Sequence, residues 1–461
     1  MSAHTSNKNF LSGEFRVPGD KSITHRAILF SALATSKSRL RTNVLGRDNF
    51  ASLRVMRELG VGVGGVLSDE MYSLAKAERV NEGIDRGAQC ELIVDGKGLG
   101  ALRKPSKVLD CGNSGTTARL LSGILAGLPF ESTIDGDSSL RRRPFKRVVD
   151  PLSEMGARFS GERLPISVVG SELSGVAYDS PRASAQVKSA ILLAGLSADG
   201  AVRVSEPFRS RDHTERMFRA MGVDVIEAQE ENGRWSSSLP EPTQRVLHGA
   251  DFEIPGDFSS AAFLIALATV LPDSDIVIRN VGVNPTRVGF LEVLRRMGAK
   301  FDLENQRESG GEPVADIVVT SAELRGTEID EADVVLAIDE VPLLSFCAAF
   351  ADGTTRITGA SELRVKESDR LQMTELLLTS FGAEVQGLAD GLVITGRRDF
   401  LERAQADMSH SKPKEFAWKN SGDHRIAMIG AILERYVLGQ VDPSERASVE
   451  TSFPGFFEIF R

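Results

Sequence analysis

The sequence predicts an α/β fold of two similar domains, each built from three repeats of one helix-and-strand unit. Three observations carry this expectation. An amphipathic stretch that ends in Gly and leads into a short β-like run recurs along the chain. A more apolar helical stretch precedes each copy. Finally, Pro18-Gly19-Asp20-Lys21-Ser22 is echoed at Pro255-Gly256-Asp257-Phe258-Ser259, and both copies run straight into an apolar helical stretch. At 461 residues the chain is also too long for one typical core.

The Gly-terminated stretches are Met56–Gly60, Leu152–Gly156, Phe218–Gly222, Leu294–Gly298 and Thr379–Gly382. Gly just past the last helical residue forms the left-handed C-terminal cap, because it has no Cβ to clash there. The runs that follow, such as Val223-Asp-Val-Ile226 and Ala299-Lys-Phe-Asp302, alternate as half-buried strands do. The apolar helices are expected to begin near Lys21, Ser114, Ala185, Ser259, Val341 and His424. The unit is then strand, buried helix, strand, surface helix, strand, with a period of roughly 70–95 residues, far longer than solenoid repeats. A sixth copy falls at the C-terminus, where Phe456–Phe460 supplies an apolar stretch. The two Pro-Gly-Asp segments read as interdomain crossings. They give one domain of residues 20–255 and another of 1–19 plus 256–461, with a cleft between them. The polar run Ala228–Gln244 reads as a surface loop before the second crossing.

Charge narrows the function classes. Against 55 Lys and Arg stand 64 Asp and Glu, a formal net charge of −9. Neither nucleic acid nor an anionic membrane suits such a surface, so any anion must be held by a local cluster of cations. Three cysteines fit neither a disulfide framework nor a paired zinc site, and a reducing compartment follows. Met1–Phe10 is polar and Ala261–Leu271 is too short to span a bilayer, which points to a soluble, cytoplasmic protein. The histidines are scattered without metal-ligand spacing, so no metal is expected. Gly96-Lys-Gly98-Leu-Gly100 has the wrong spacing for a dinucleotide loop, and no P-loop occurs. Gly112-Asn-Ser-Gly115 is not a nucleophile elbow.

The unusual residues gather at the starts of the apolar helices. Lys21 opposes the helix dipole, which makes sense if an anionic ligand sits over it. Ser22 and Arg26 are four apart and share a face; the bland alternative is a cap and a solvated charge. Asn113, Gly115 and Thr116 mark the second start, where small residues let backbone N–H groups approach a ligand. Ser184, Ala185 and Gln186 mark the third, as caps or as partners of phosphate and hydroxyl oxygens. Asp257 and Ser259 read as caps of the fourth, which has no cation. Asp339 is by default the cap of the fifth, ahead of Pro342. Asp423 caps the sixth, with Arg425 against the dipole. Leu140–Pro144, including Arg143, reads as a solvated face. In Leu363–Arg370, Lys366 and Arg370 would share a helix face, with Glu367 as a salt-bridge partner or proton donor.

Taken in order, Pro-Gly-Asp-Lys-Ser-x-x-x-Arg, Gly-Asn-Ser-Gly-Thr, Arg143-Pro, Ser-Ala-Gln, Asp339-Glu, Arg-Val-Lys-Glu-Ser-Asp-Arg and Asp-His-Arg resemble the 5-enolpyruvylshikimate-3-phosphate synthase family from about Val17 to Pro454. The resemblance implies the enolpyruvyl transferase fold, two domains of three inverse α/β units. It implies transfer of the enolpyruvyl group of phosphoenolpyruvate to the 5-hydroxyl of shikimate 3-phosphate, without cofactor, by a monomer. It places Ser22 and Arg26 on the shikimate carboxylate, and Ser184, Ala185, Gln186 and Lys366 on its phosphate and hydroxyls. Arg143, Arg370 and Arg425 then clamp phosphoenolpyruvate in a pocket lined by Asn113, Gly115, Thr116 and Gln186, and Lys21 touches both substrates. Asp339 serves the 5-hydroxyl, and Glu367 with Lys21 moves protons at the enolpyruvyl carbons. Gly115 implies inhibition by glyphosate. The chain departs from the family in three places. Glu450–Pro454 lacks a Lys (Thr451 stands there), Ser-Ala-Gln replaces Ser-Ser-Gln, and the segment Ser205–Thr214 is longer, so that Arg211 is a candidate for the shikimate phosphate. A related transferase acting on UDP-N-acetylglucosamine would need a cysteine near Ser138–Arg143, and none is there. An RNA-end-processing enzyme would need a basic, aromatic groove. A non-catalytic phosphosugar-binding protein would not need Asp339 and Glu367 together.

Overall fold

The computed structural model describes residues 10–87, 90–241, 245–410, 416, 418–419, 421–450 and 452–460. The chain divides into two compact units. One holds Gly19–Pro255 with Glu308–Glu312; the other holds the chain through Pro18, Gly256–Arg307 and the chain from Pro313 onward. The short segment Glu308–Glu312 groups with the first because His213 Nδ1 pairs with Glu312 at 2.7 Å and Arg216 donates to the Gly311 carbonyl at 3.1 Å.

Within the Gly19–Pro255 unit, three sheets share one plan, a parallel pair followed by two antiparallel pairings, to which the first adds a fifth strand, Ile84–Arg86, parallel to its neighbour. The first runs Asp251–Glu253, Lys37–Thr42, Cys90–Asp95, Gly62–Leu67, Ile84–Arg86. The second runs Leu109–Asp110, Glu131–Asp135, Ile166–Val169, Arg158–Phe159, and the third Leu173–Asp179, Ala198–Glu206, Trp235–Leu239, Ile226–Gln229. The other unit repeats the plan twice. One sheet runs Ser12–Phe15, Asp275–Gly282, Glu312–Thr320, Lys300–Ser309, and the other Glu328–Ile329, Gly353–Ile357, Leu392–Gly396, Glu384–Gly387. In both units a strand from just before a crossing completes the sheet of the first repeat. Asp251–Glu253 pairs parallel with Arg39–Arg41, and Ser12–Phe15 pairs parallel with Asp275–Ile278.

All six apolar helices form: Lys21–Leu33, Gly115–Ala126, Ala185–Gly195, Phe258–Val270, Val341–Ala349 and His424–Leu433. Phe258–Thr269 is buried residue by residue, so this helix is core on every side rather than amphipathic. Each such Leu, Ile or Phe contributes roughly 1.5–3 kcal/mol by leaving water. The surface helices end at Gly60, Gly156, Gly222, Gly298 and Gly382, whose φ values are +90, +118, +90, +101 and +89°, the left-handed region that a Cβ disfavours. The sixth repeat keeps its apolar helix, but among the described residues no strand follows Leu392–Gly396, and Phe456–Phe460 is a 3-10 turn.

At the echo, Asp20 N–H donates to the Pro255 carbonyl at 2.8 Å in one unit, and Asp257 N–H to the Pro18 carbonyl at 2.8 Å in the other. A Cβ on Gly19 would overlap Thr42 Oγ1, and one on Gly256 would meet Val17 Cγ2 at 2.8 Å. Both glycines are there for close approach.

Three local expectations need correction. Ala228–Gln244 is not a loop throughout: Ile226–Gln229 and Trp235–Leu239 form a hairpin about Asn232-Gly233, with 242–244 outside the described residues. Its strand hides in the sequence because its buried serines are satisfied by polar partners, Ser237 Oγ donating to Glu215 at 2.8 Å. The strand after Gly222 starts at Ile226, with Val223 and Val225 buried ahead of it. Lys366 and Arg370 do not share a helix: a 3-10 turn ends at Val365, and Asp369 caps a new helix, Arg370–Ser380, by accepting from Gln372 N–H at 3.1 Å.

Candidate active site

In the Gly19–Pro255 unit the first turns of three apolar helices are bonded to one another. Arg26 is buried; its Nε donates to Thr214 Oγ1 at 2.8 Å, Nη2 to Ser189 Oγ at 2.9 Å and Nη1 to the Ser22 carbonyl at 3.2 Å. It is no solvated charge. Burial pulls its pKa down to about 10, against the opposing field of Glu215, so it stays cationic at neutral pH. Arg211 lies close enough to add a second positive charge there. Lys21 and Ser22 are half-buried at the same turn, and Lys21 Nζ is paired with Asp48. His25 joins the helices from beneath, with Nδ1 2.8 Å from Ser52 Oγ and Nε2 3.5 Å from Ser114 Oγ. Burial, with Lys21 and Arg26 beside it, drives its pKa well below the usual imidazole range, so it is neutral.

The second and third helix starts share a hydrogen-bonded chain. Asn113 donates from Nδ2 to Asp137 at 2.7 Å and accepts from Arg143 Nη2 at 2.7 Å. Arg143 is buried, unlike its neighbours Arg141 and Arg142, so the solvated-face expectation fails for it. A Cβ on Gly115 would stand 3.0 Å from Arg119 Nη1 and 3.2 Å from Arg143 Nη1. Gln186 Nε2 donates to Thr116 Oγ1 at 2.9 Å, and its Oε1 accepts from Arg119. Ser184 precedes the helix at Ala185 without a side-chain cap bond; instead its N–H donates to Glu206 Oε1 at 2.5 Å.

Beneath that turn lies Lys188, paired with Glu215 at 2.8 Å and Glu206 at 3.3 Å, all three essentially inaccessible. Burial alone would lower the lysine's pKa, but the two carboxylates outweigh it and raise it. Arg119, Lys188 and Asp48 were not among the expected site residues. A signal existed for two: Arg119 follows Gly115 by four on one helix face, and a Lys within Ala185–Gly195 has no apolar role.

In the other unit, arginines and carboxylates converge at the starts of the Val341 and His424 helices. Asp339 is not a cap: Glu340 takes that position, without a side-chain cap bond. The Asp339 carboxylate instead faces Arg370 Nη1 at 3.1 Å, Arg287 Nη1 at 3.7 Å and Arg425 Nε at 3.9 Å. Arg370 is 1% exposed and also grips Asp423 at 2.8 Å and Glu367 at 2.8 Å. Burial works against its charge, yet Asp423, Glu367 and Asp339 outweigh it and raise its pKa. Burial likewise opposes ionisation of Asp423, but Arg370 outweighs it and holds the carboxyl below its usual range. Asp423 also accepts from Arg425 N–H at 3.0 Å, so the expected cap is present and serves two elements. Lys366 and Glu367 are half-buried on the bend before Arg370. Arg364 rivets that bend to the Leu388 and Ala389 carbonyls at 2.6 and 2.8 Å. Arg287 was not anticipated. It lies in an irregular turn, with no periodicity to reveal it. Thr451 lies outside the described residues.

Each cluster therefore offers fixed cations at helix starts, where N–H groups and guanidiniums favour phosphate and carboxylate, and the second holds Asp339 and Glu367, carboxyl groups of a kind able to move protons. Residues 6–460 match the family model described as EPSP synthase (3-phosphoshikimate 1-carboxyvinyltransferase). The chain is 45% identical over 450 residues to a 3-phosphoshikimate 1-carboxyvinyltransferase of Desulforudis audaxviator, covering 97% of this chain and 95% of that protein. It is 44% identical over 453 residues to that of Geobacter metallireducens, covering 97% and 96%. Among solved structures, an EPSP synthase from Acinetobacter baumannii matches at 39% identity with a TM-score of 0.76, over 98% of this chain and 96% of that one. With motifs, repeat plan and length all in agreement, the chain belongs to the EPSP synthase family, the 3-phosphoshikimate 1-carboxyvinyltransferases.

Proposed function

We propose that the chain transfers the enolpyruvyl group of phosphoenolpyruvate to the 5-hydroxyl of shikimate 3-phosphate and releases phosphate, on the route to chorismate and the aromatic amino acids. The observation that carries this is Asp339, a carboxylate held among three arginines with Glu367 bound to one of them. Facing cations favour the charged form of a carboxyl group, which is the form that can accept a proton.

Asp339 takes the proton of the 5-hydroxyl as its oxygen adds to C2 of phosphoenolpyruvate, and Glu367 with Lys21 delivers a proton to C3. In the second step C3 returns a proton to the Glu367–Lys21 pair, its electron pair forms the C2–C3 double bond, and the C2–O bond to phosphate breaks as phosphate leaves. Arg370, Arg425 and Arg143 hold phosphoenolpyruvate, with Asn113, Gly115, Thr116 and Gln186 around it. Ser22 and Arg26 hold the shikimate carboxylate; Ser184, Ala185, Gln186 and Lys366 hold the phosphate and hydroxyls, with Arg211 as a further phosphate contact. The Ser184 amide is taken by Glu206, so its contact with the substrate is made through the hydroxyl. The enzyme acts as a cytoplasmic monomer; its three cysteines, all free and buried, suit a reducing compartment.

Phosphate release with shikimate 3-phosphate and phosphoenolpyruvate, run beside UDP-N-acetylglucosamine, tests the assignment. Release with the first acceptor and not the second is expected; the reverse would overturn it. Light scattering checks the monomer.

A further inference from the structure

The Pro-Gly-Asp echo at Pro255–Ser259 has no cation of its own, yet one is supplied to it from elsewhere. Arg287 reaches Ser259 Oγ through Nη2 at 2.6 Å and lies 3.5 Å from Asp257 Oδ1. Its Nη1 lies 3.5 Å from Glu340 Oε1 and 3.7 Å from Asp339 Oδ2. One guanidinium thus ties the start of the Phe258 helix to the residues that open the Val341 helix. The arginine is held from behind: Arg287 N–H donates to the Asn284 carbonyl at 2.8 Å, and Asn284 Oδ1 accepts from Thr286 N–H at 2.9 Å.

Arg287 is buried, and its guanidinium faces Ser259, Asp257, Glu340 and Asp339. Its effect must pass through its partners. Three guanidiniums, Arg287, Arg370 and Arg425, face five carboxylates, Asp257, Asp339, Glu340, Glu367 and Asp423. In these ion pairs carboxylates outnumber guanidiniums, with His424 adding a positive field at Asp423. Arg370 is shared among three carboxylates, so it cannot compensate for a lost neighbour. Glu340, with its side chain fully buried, has Ser259, Arg287 and the more distant Arg425, 3.8 Å away, as its polar partners.

We infer that Arg287 is a positioning residue for the transfer reaction, one that aims the Asp339 carboxylate and keeps it ionised by neutralising Glu340 beside it. This inference rests on the assignment of Asp339 as the base under the proposed function. Without Arg287, Asp339 loses one facing cation and gains an uncompensated anion next to it. Both changes disfavour its charged form, so the acid limb of the kcat profile moves upward in pH.

The test compares the parent enzyme with Arg287→Met, Arg287→Lys, Ser259→Ala and Asp339→Ala, following kcat and both KM values against pH and shikimate 3-phosphate binding by calorimetry. Arg287→Met is expected to lose about tenfold or more in kcat with little change in either KM, and to move the acid limb up by about one pH unit. Arg287→Lys, which restores the charge, recovers the acid limb. Ser259→Ala frees one end of the guanidinium and shifts the limb in the same direction by less; it decides the matter if neither Arg287 variant folds. An Arg287→Met enzyme with the parent's kcat and pH profile overturns the inference, as does weakened shikimate 3-phosphate binding with kcat and acid limb unchanged. If Asp339→Ala is itself nearly as active as the parent, the assignment of the base has failed, an outcome distinct from failure of Arg287 alone.

Discussion

Arg370 Nη1 stands 3.1 Å from Asp339 Oδ1 while Nε of the same guanidinium stands 2.8 Å from Asp423. One buried fork thus spans the starts of two helices, and its geometry is rigid because a guanidinium is planar. Asp339→Ala removes the carboxylate but leaves Arg370 anchored on Asp423 and Glu367. The variant is expected to lose turnover by about 10²-fold or more. It should still bind shikimate 3-phosphate in calorimetry, and near-normal phosphate release would sink the base assignment.

Gly115 is pressed by two guanidiniums. Gly115→Ala places a methyl 3.0 Å from Arg119 Nη1 and 3.2 Å from Arg143 Nη1, and both must give way. KM for phosphoenolpyruvate is expected to rise several-fold while that for shikimate 3-phosphate holds. The parent enzyme should be inhibited by glyphosate and the variant markedly less so. Parallel inhibition curves for the two proteins would show that Gly115 does not border that pocket.

His25 makes a pH prediction. Its pKa in the folded protein lies well below that of a free imidazole, because burial and then Lys21 and Arg26 disfavour the charge. The unfolded chain therefore binds more protons once the pH drops below about 6.5, and stability is lost as pH falls. The slope approaches about 1.4 kcal/mol per pH unit down to the folded pKa. Urea unfolding of the parent and of His25→Gln, compared from pH 8 to pH 5, should give curves that diverge on the acid side; parallel curves would refute it.

Lys188 tests a buried charge. Lys188→Met leaves Glu206 and Glu215 side by side without their cation. Breaking such a pair by removing one partner costs about 3–5 kcal/mol. Chemical denaturation should register that loss, and adding Glu215→Gln should return part of it. A single variant as stable as the parent would mean that the carboxylates take up protons at little cost.

Much of this was written locally in the sequence. Gly60 and Gly298 were legible as helix ends because only a residue without Cβ takes φ of +90 or +101° cheaply. The six apolar helices were legible because they are buried along nearly their whole length. The hairpin at Trp235–Leu239 was not, since its buried serines depend on Glu215 and on the Ala228 carbonyl, partners that a local pattern does not reveal. For the same reason Asp339 looked like a cap and Arg287 like nothing at all: their roles lie in ion pairs with residues 31 and 53 positions away. The bend at Lys366 was misread because Asp369 acts as a cap that starts a new helix.

Ser12–Phe15 has its parallel partner at Asp275–Ile278, and Leu11 N–H donates to Ser274 Oγ at 3.0 Å across 263 positions of chain. A strand made ahead of Gly19–Pro255 must therefore wait, unpaired, until all of those residues have left the ribosome. By then Gly19–Pro255 has been delivered whole, with both ends of its own first sheet in hand. Vectorial synthesis thus imposes an order on assembly: Gly19–Pro255 can settle from contiguous chain, and the other unit must recapture a strand made before all of those residues.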